Sequence, residues 1–157
     1  MNTLIMMVGL PGSGKSTYAK RLITTHPNWK YVSRDEVRYE SVTDQAHYFD
    51  HEKDVFKEFC NRIDMHLLNG DTVIADATHL NRKSRDKLLY NLTAKIDKKI
   101  ALVMVTSFKT CMNRNGAREG IIRVPDKTMH QMHHAFKMPD VRFEDFDQIL
   151  KVDGDKV

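Results

Sequence analysis

Cysteine is scarce. Cys60 and Cys111 stand singly inside helical patterns, which excludes a disulfide framework or a paired-thiol metal knuckle and fits a reducing compartment, the cytoplasm. Long apolar runs are missing too. No segment reaches the roughly 20 residues that cross a bilayer, and Met1-Asn2-Thr3 leads into a strand pattern rather than a signal peptide. Proline and glycine, four and seven residues, are too sparse for a linker or low-complexity tract, and no internal repeat is present. Aromatic residues make up only 8% of the chain; Trp29, Tyr31, Tyr39 and Tyr90 are the best candidates for stacking, too few for an extended base-reading surface. What remains, 41% hydrophobic and 29% charged residues over 157 positions, describes one soluble globular domain.

The stretch that organises the chain is Gly9-Leu10-Pro11-Gly12-Ser13-Gly14-Lys15-Ser16-Thr17, directly after the apolar run Leu4 to Val8. It fits G-x-x-x-x-G-K-[ST] without deviation, and the chance of such a match in a chain this long is on the order of 0.5%. The glycines let successive backbone N–H groups converge on one anion, and the helix that follows points its positive end at the same place. Lys15 supplies a charge for the β- and γ-phosphates of ATP, and the Ser16 hydroxyl can ligate the bridging Mg2+. Gly9, Gly12, Ser13, Gly14, Lys15, Ser16 and Thr17 are therefore read as the nucleotide-binding loop.

Apolar runs alternate with helical patterns, which predicts an α/β fold: a P-loop NTPase-type parallel sheet flanked by helices. Strands are expected at Thr3–Val8, Lys30–Ser33, Thr72–Ala77 and Ile100–Ser107, with an edge strand at 146–152. The fourth run is the most continuous and is expected at the centre of the sheet. Helices are expected from the loop to Thr25, from Asp44 to Asn69, from Arg82 to Lys95, over Phe108–Asn115 and over 125–137, where Met129, Met132 and Phe136 look like core. Gly116 and Gly120 around Arg118 suggest a small mobile lid at about 114–124. Residues from Gly154 onward are expected to fray.

The net charge of +4 hides an asymmetry: residues 81–123 carry eleven basic and three acidic side chains. Such a block points to a polyanionic partner, ATP phosphates alone or a nucleic-acid backbone as well, unless its lysines (Lys95, Lys98, Lys99) merely form a solvated face. His130, His133 and His134 share a helix face, but no acid or thiol lies near them in sequence to complete a metal site. His47 and His51 read as surface residues.

Open parallel sheets place ligands at the carboxyl ends of their strands, and Asp35 and Asp76 should stand there. A hydroxyl acceptor needs a carboxylate to take its proton, and Asp35 is the candidate base. Arg38, three residues on, would share its face in a helix and hold a phosphate of the same acceptor; the plainer alternative is an exposed ion pair. Asp76 could order magnesium waters, orient an arginine or cap the next turn. Arg118 reads as a lid arginine neutralising developing charge, and Arg114 as a contact to the base or the phosphates; either could instead be solvent-exposed.

Four separated stretches resemble the kinase domain of phage-type 5′-polynucleotide kinases, the end-healing enzymes of nucleic-acid repair. They are residues 9–17, Ser33-Arg34-Asp35-Glu36-Val37-Arg38, Asp76-Ala77-Thr78-His79-Leu80-Asn81, and Arg114-Asn115-Gly116-Ala117-Arg118 followed by Val124-Pro125. The resemblance covers nearly the whole chain and implies a single P-loop kinase domain over 1–157. It implies Asp35, Arg118 and Lys15 as catalytic residues, Arg38 and Asp76 on the substrate side, and the 5′ end of DNA or RNA as acceptor. Where the family has Thr-Asn this chain has Thr78-His79, and no phosphatase segment follows, so a 3′-phosphatase activity is not expected. A small-metabolite or nucleoside kinase, and a nucleotide-gated binding module with little turnover, stand as alternatives; a homo-oligomer stays open.

Overall fold

Leu4, Met6 and Val8 point to one face of their strand, Ile5 and Met7 to the other, and all five are buried. A strand with no wet face needs a helical layer on each side. The computed structural model, which describes residues 1–41 and 50–157, supplies both layers. Five strands, β1 (Thr3–Val8), β2 (Lys30–Ser33), β3 (Thr72–Asp76), β4 (Lys98–Val105) and β5 (Gln148–Asp153), form an all-parallel sheet in the order β2-β3-β1-β4-β5. The helices are α1 (Lys15–Thr25), α2 (Arg34–Ser41), α3 (Glu52–Leu68), α4 (Arg82–Tyr90), α5 (Phe108–Gly116) and α6 (Asp126–Ala135). This is the expected parallel sheet flanked by helices.

On one face Phe59, Ile63 and Leu67 of α3, spaced four apart, meet Leu4, Met6, Val8 and Leu88. On the other, Ala19, Tyr18 and Leu22 of α1 cover Ile5, Met7, Ile74 and Leu102. The centre of the sheet is therefore β1, not β4 as the length of its apolar run led us to expect. Burial on both faces lengthens an apolar run, but β1 and β4 share that condition, so run length cannot rank them.

Strand ends shift by one or two residues, and three larger differences have physical causes or limits. The expected helix from Asp44 begins, among the described residues, only at Glu52; its first part, with His47 and Tyr48, lies outside them. The helix expected to reach Lys95 stops at Tyr90, because the Asp64 carboxylate accepts the N–H groups of Thr93 (3.0 Å) and Ala94 (2.8 Å) and draws the chain off the helical path. The tail does not fray: Gly154–Lys156 forms a 3-10 turn whose Asp155 carboxylate accepts the N–H and hydroxyl of Ser107 at 3.0 Å each. Gly154 fits there because a Cβ would run into the Thr106 hydroxyl and the Ser13 carbonyl. No helix among the described residues is long and apolar enough to cross a membrane.

Candidate active site

Parallel register places the loop and its surroundings. Met7 of β1 pairs with Asp76 of β3, and Ser33 of β2 pairs with the same aspartate, so three strands end together at the carboxyl edge. The chain leaving β1 turns through Gly9–Gly14 into α1. Gly12, at φ 80, sits where a Cβ would strike the Cys111 carbonyl at 2.6 Å, so both its backbone and the space around it demand glycine. Gly14 caps α1 at φ 96 with no side chain to offer an oxygen. The first N–H groups of α1 therefore keep no capping acceptor, and the buried Ser13 hydroxyl has no hydrogen-bond partner. Uncapped donors at a positive helix end fit a polyphosphate.

Lys15 is buried, and its Nζ donates to the Leu10 carbonyl at 2.9 Å. Burial pushes its pKa down, the Asp76 and Asp35 carboxylates oppose that shift, and the Arg118 guanidinium adds to it. Asp35 and Arg118 thus lie within electrostatic reach of the loop lysine. Arg118 is half-buried and makes no ion pair among the described residues. Arg114 donates to the Gly12 carbonyl (3.2 Å) and the Val157 carbonyl (3.1 Å), tying the tail to the phosphate loop. Thr17 is exposed on the first turn of α1.

Asp76 is buried, and its Oδ2 accepts the Ser16 hydroxyl at 2.8 Å and the Tyr31 hydroxyl at 2.5 Å. No arginine among the described residues bonds to it. The resemblance groups it with Arg38; in the fold it stands beside the loop, because β3 runs next to β1 and delivers it to Ser16. Burial, then the Asp76 charge, pushes the Tyr31 phenol up, so it remains a donor. Ser16 and Asp76 together offer the hard oxygens that magnesium takes along with waters.

Asp35 and Arg38 do lie on one helix, α2. The Asp35 side chain is 78% exposed and accepts from Arg38 Nη1 at 2.5 Å. Arg38 turns inward. Its Nε and Nη2 grip the two Glu52 oxygens at 2.5 and 3.0 Å, and Arg34 reaches Glu52 Oε2 at 3.0 Å. Burial raises the Glu52 carboxyl, but its bonds to Arg38 and the charges of Arg38 and Arg34 outweigh that and hold it below the usual range. Sequence reading missed Glu52, which lies 14 residues from Arg38 at the head of another helix and carries no local signal.

Asn115 was missed as well. Fully buried, it donates to the Val124 carbonyl (2.7 Å) and accepts the Val124 N–H (3.0 Å), pinning both ends of the Arg118 loop. Of the residues expected to form a lid, 114–116 belong to α5, and the segment between Asn115 and Val124 follows it. His130 and His133 rest their rings on Phe108, at 5.1 and 4.1 Å between centroids. The basic block does not form one patch. Lys98 and Lys99 sit at the amino end of β4, opposite the site, and Arg85 is fully buried.

His79 holds the loop from behind. It takes φ 45, a left-handed conformation that asparagine also tolerates, and its Nδ1 lies 2.7 Å from the Met7 carbonyl. Burial, reinforced by Arg34, Lys15 and Arg85, pushes it down to about 4, against the Met7 bond. The unfolded chain binds that proton near 6.5, so stability is lost as pH falls from 6.5 toward 4, by about 3 kcal/mol in all. His79→Asn keeps the backbone and removes the titration. Its urea-melt stability is expected to fall less steeply than wild type over that window; parallel curves would show that the ring is not held neutral.

A family model described as an AAA domain matches residues 4–139. The chain is similar to a chain of the Pnkp1/Rnl/Hen1 complex, at 30% identity and TM-score 0.63 over 72% of this chain and 38% of that one. A second structure, of the Pnkp1/Rnl/Hen1 RNA repair complex, matches at 25% and 0.70 over 85% and 43%. The chain therefore spans less than half of those proteins. Kti12 from Chaetomium thermophilum in complex with ADP-AlF3 (18%, TM-score 0.72, covering 96% of this chain and 88% of that one) and a gluconokinase from Sinorhizobium meliloti 1021 (18%, 0.63, 96% and 82%) share the fold.

Proposed function

The chain belongs to this AAA domain family, and from that membership we propose that it is an ATP-dependent kinase that phosphorylates the 5′-hydroxyl end of a DNA or RNA strand. The observation that carries the reading is the Asp35–Arg38–Glu52 constellation. A solvent-accessible carboxylate, within electrostatic reach of Lys15, is backed by a buried guanidinium that two further bonds hold in place. Asp35 accepts the proton of the acceptor hydroxyl as its oxygen bonds to the γ-phosphorus and the bond to the β-phosphate oxygen breaks, leaving ADP. Arg38 meets the phosphate next to that hydroxyl from its buried position. Lys15 and the uncapped N–H groups of α1 hold the donor phosphates, and Arg118 neutralises charge that spreads over the transferring group. Arg114, already on the loop, contacts the donor nucleotide. Ser16, with Asp76 behind it, would hold magnesium, which would supply charge neutralisation for the donor phosphates.

A neutral sugar acceptor offers the Arg38 guanidinium no phosphate to meet, which weighs against a metabolite kinase. The two separate buried thiols favour a reducing, cytoplasmic setting. The test is γ-labelled ATP with magnesium and a 5′-hydroxyl oligonucleotide. Label is expected at the 5′ end. Label on a sugar or free nucleoside, with oligonucleotides ignored, would assign the chain to metabolite chemistry; ATP binding without transfer to any acceptor would make it a binding module.

A further inference from the structure

Beside the acceptor position lies a groove with no part in the chemistry above. It has a volume of about 560 Å³ and runs between α3 and α4, lined by Arg34, Glu52, Lys53, Phe56, Lys57 and Lys87 among others. Four of these six side chains are cations. The one carboxylate, Glu52, is already shared by Arg34 and Arg38. Lys53, Lys57 and Lys87 are exposed and have no carboxylate partner among the described residues.

The groove is also ordered. Phe56 carries the Arg34 guanidinium 5.2 Å from its ring centroid and the Lys87 ammonium 4.4 Å from it, so the aromatic ring fixes two cations from different helices around one wall. The Nε of Arg34 is buried and lacks a hydrogen-bond partner. Glu52 joins the groove to the constellation that holds Asp35, because its two oxygens serve Arg38 on one side and Arg34 on the other.

We infer that this groove carries the phosphodiester backbone of the acceptor strand beyond its terminal nucleotide, an inference that rests on the polynucleotide reading. Lys53, Lys57 and Lys87, without carboxylate partners among the described residues, extend from the acceptor position and serve a chain of repeated charges that a small acceptor would leave unused. Lys53 and Lys57, one helical turn apart on α3, face Lys87 of α4 across the groove and bind backbone rather than bases. Recognition there is therefore independent of sequence and sensitive to salt.

The test compares a nucleoside 3′-phosphate with a 5′-hydroxyl single strand of about ten nucleotides, using γ-labelled ATP and the wild-type and Lys57→Glu/Lys87→Glu proteins. In the double variant the KM for the strand is expected to rise about tenfold, and the slope of log affinity against log salt to flatten by about 1.4, or 0.7 for each phosphate left without its lysine. The KM for the nucleoside 3′-phosphate should stay within about twofold, since that acceptor ends before the groove. Equal changes for both acceptors, or none for either, overturn the inference and leave the transfer reaction standing. If wild type labels neither acceptor, the proposed reaction is what fails, and fluorescence anisotropy with the same strand decides the groove. Weaker binding by the double variant upholds it; unchanged binding overturns it.

Discussion

Asp35→Asn is expected to lower phosphoryl transfer to a 5′-hydroxyl strand by about 10³, within the range that general-base removal produces, with ATP binding nearly unchanged. The substitution conserves volume at a side chain that is 78% exposed, so the fold has little to lose. The bond it weakens is an ion pair with one exposed partner, worth about 0–1 kcal/mol. Arg38 keeps both bonds to Glu52 and stays in place. What disappears with the charge is an acceptor for the hydroxyl proton, which asparagine cannot supply. Single-turnover transfer and the Kd for ATP, measured on the same preparation, separate these effects. If the variant transfers phosphate within about threefold of wild type, Asp35 is not the base; if it also fails to bind ATP, the loss reports damage at Lys15, whose charge Asp35 supports.

The glycine loop, the strands and the shared face of Asp35 and Arg38 were legible because each is written in neighbouring residues: a glycine pattern, an apolar run, a spacing of three. The partners of those residues were not. Glu52 stands behind Arg38 across 14 positions, and Asp155 holds Ser107 across 48; no periodicity links either pair. Thus the tail, expected to fray from Gly154 onward, instead braces the loop through Thr106 and Arg114. The basic block failed for the opposite reason. Charges adjacent in sequence were taken as adjacent in space, yet strand β4 and helix α4 carry them to different ends of the molecule. One signal was within reach and passed over: Arg85 falls on the same helical face as Leu88, Leu89 and Leu92, which places a cation where burial was required.

That buried arginine carries the other large expected effect. Arg85 is fully buried, donates to Glu144 at 2.7 and 3.1 Å, and sends Nη1 to the His79 carbonyl at 2.8 Å. Removing it by Arg85→Ala strands the Glu144 carboxylate in the interior, at a cost of about 3–5 kcal/mol. For a chain of this size that corresponds to a fall in Tm of roughly 10 °C. A double variant, Arg85→Met/Glu144→Leu, removes both charges and should recover most but not all of the loss. The His79 carbonyl and the Asp140 N–H, which Glu144 accepts at 3.2 Å, remain without their partners, each worth about 1–3 kcal/mol if buried. The deficit should also reach the nucleotide. Thr78 accepts the Gly9 N–H at 3.0 Å and Leu80 accepts the Lys137 N–H at 2.8 Å, so the segment that Arg85 anchors is the one on which the phosphate loop leans. ATP affinity in the double variant, measured well below its Tm, is therefore expected to stay weaker than wild type by severalfold even where the protein is fully folded. Wild-type affinity in that folded variant would mean that the phosphate loop holds its shape without the ion pair behind it.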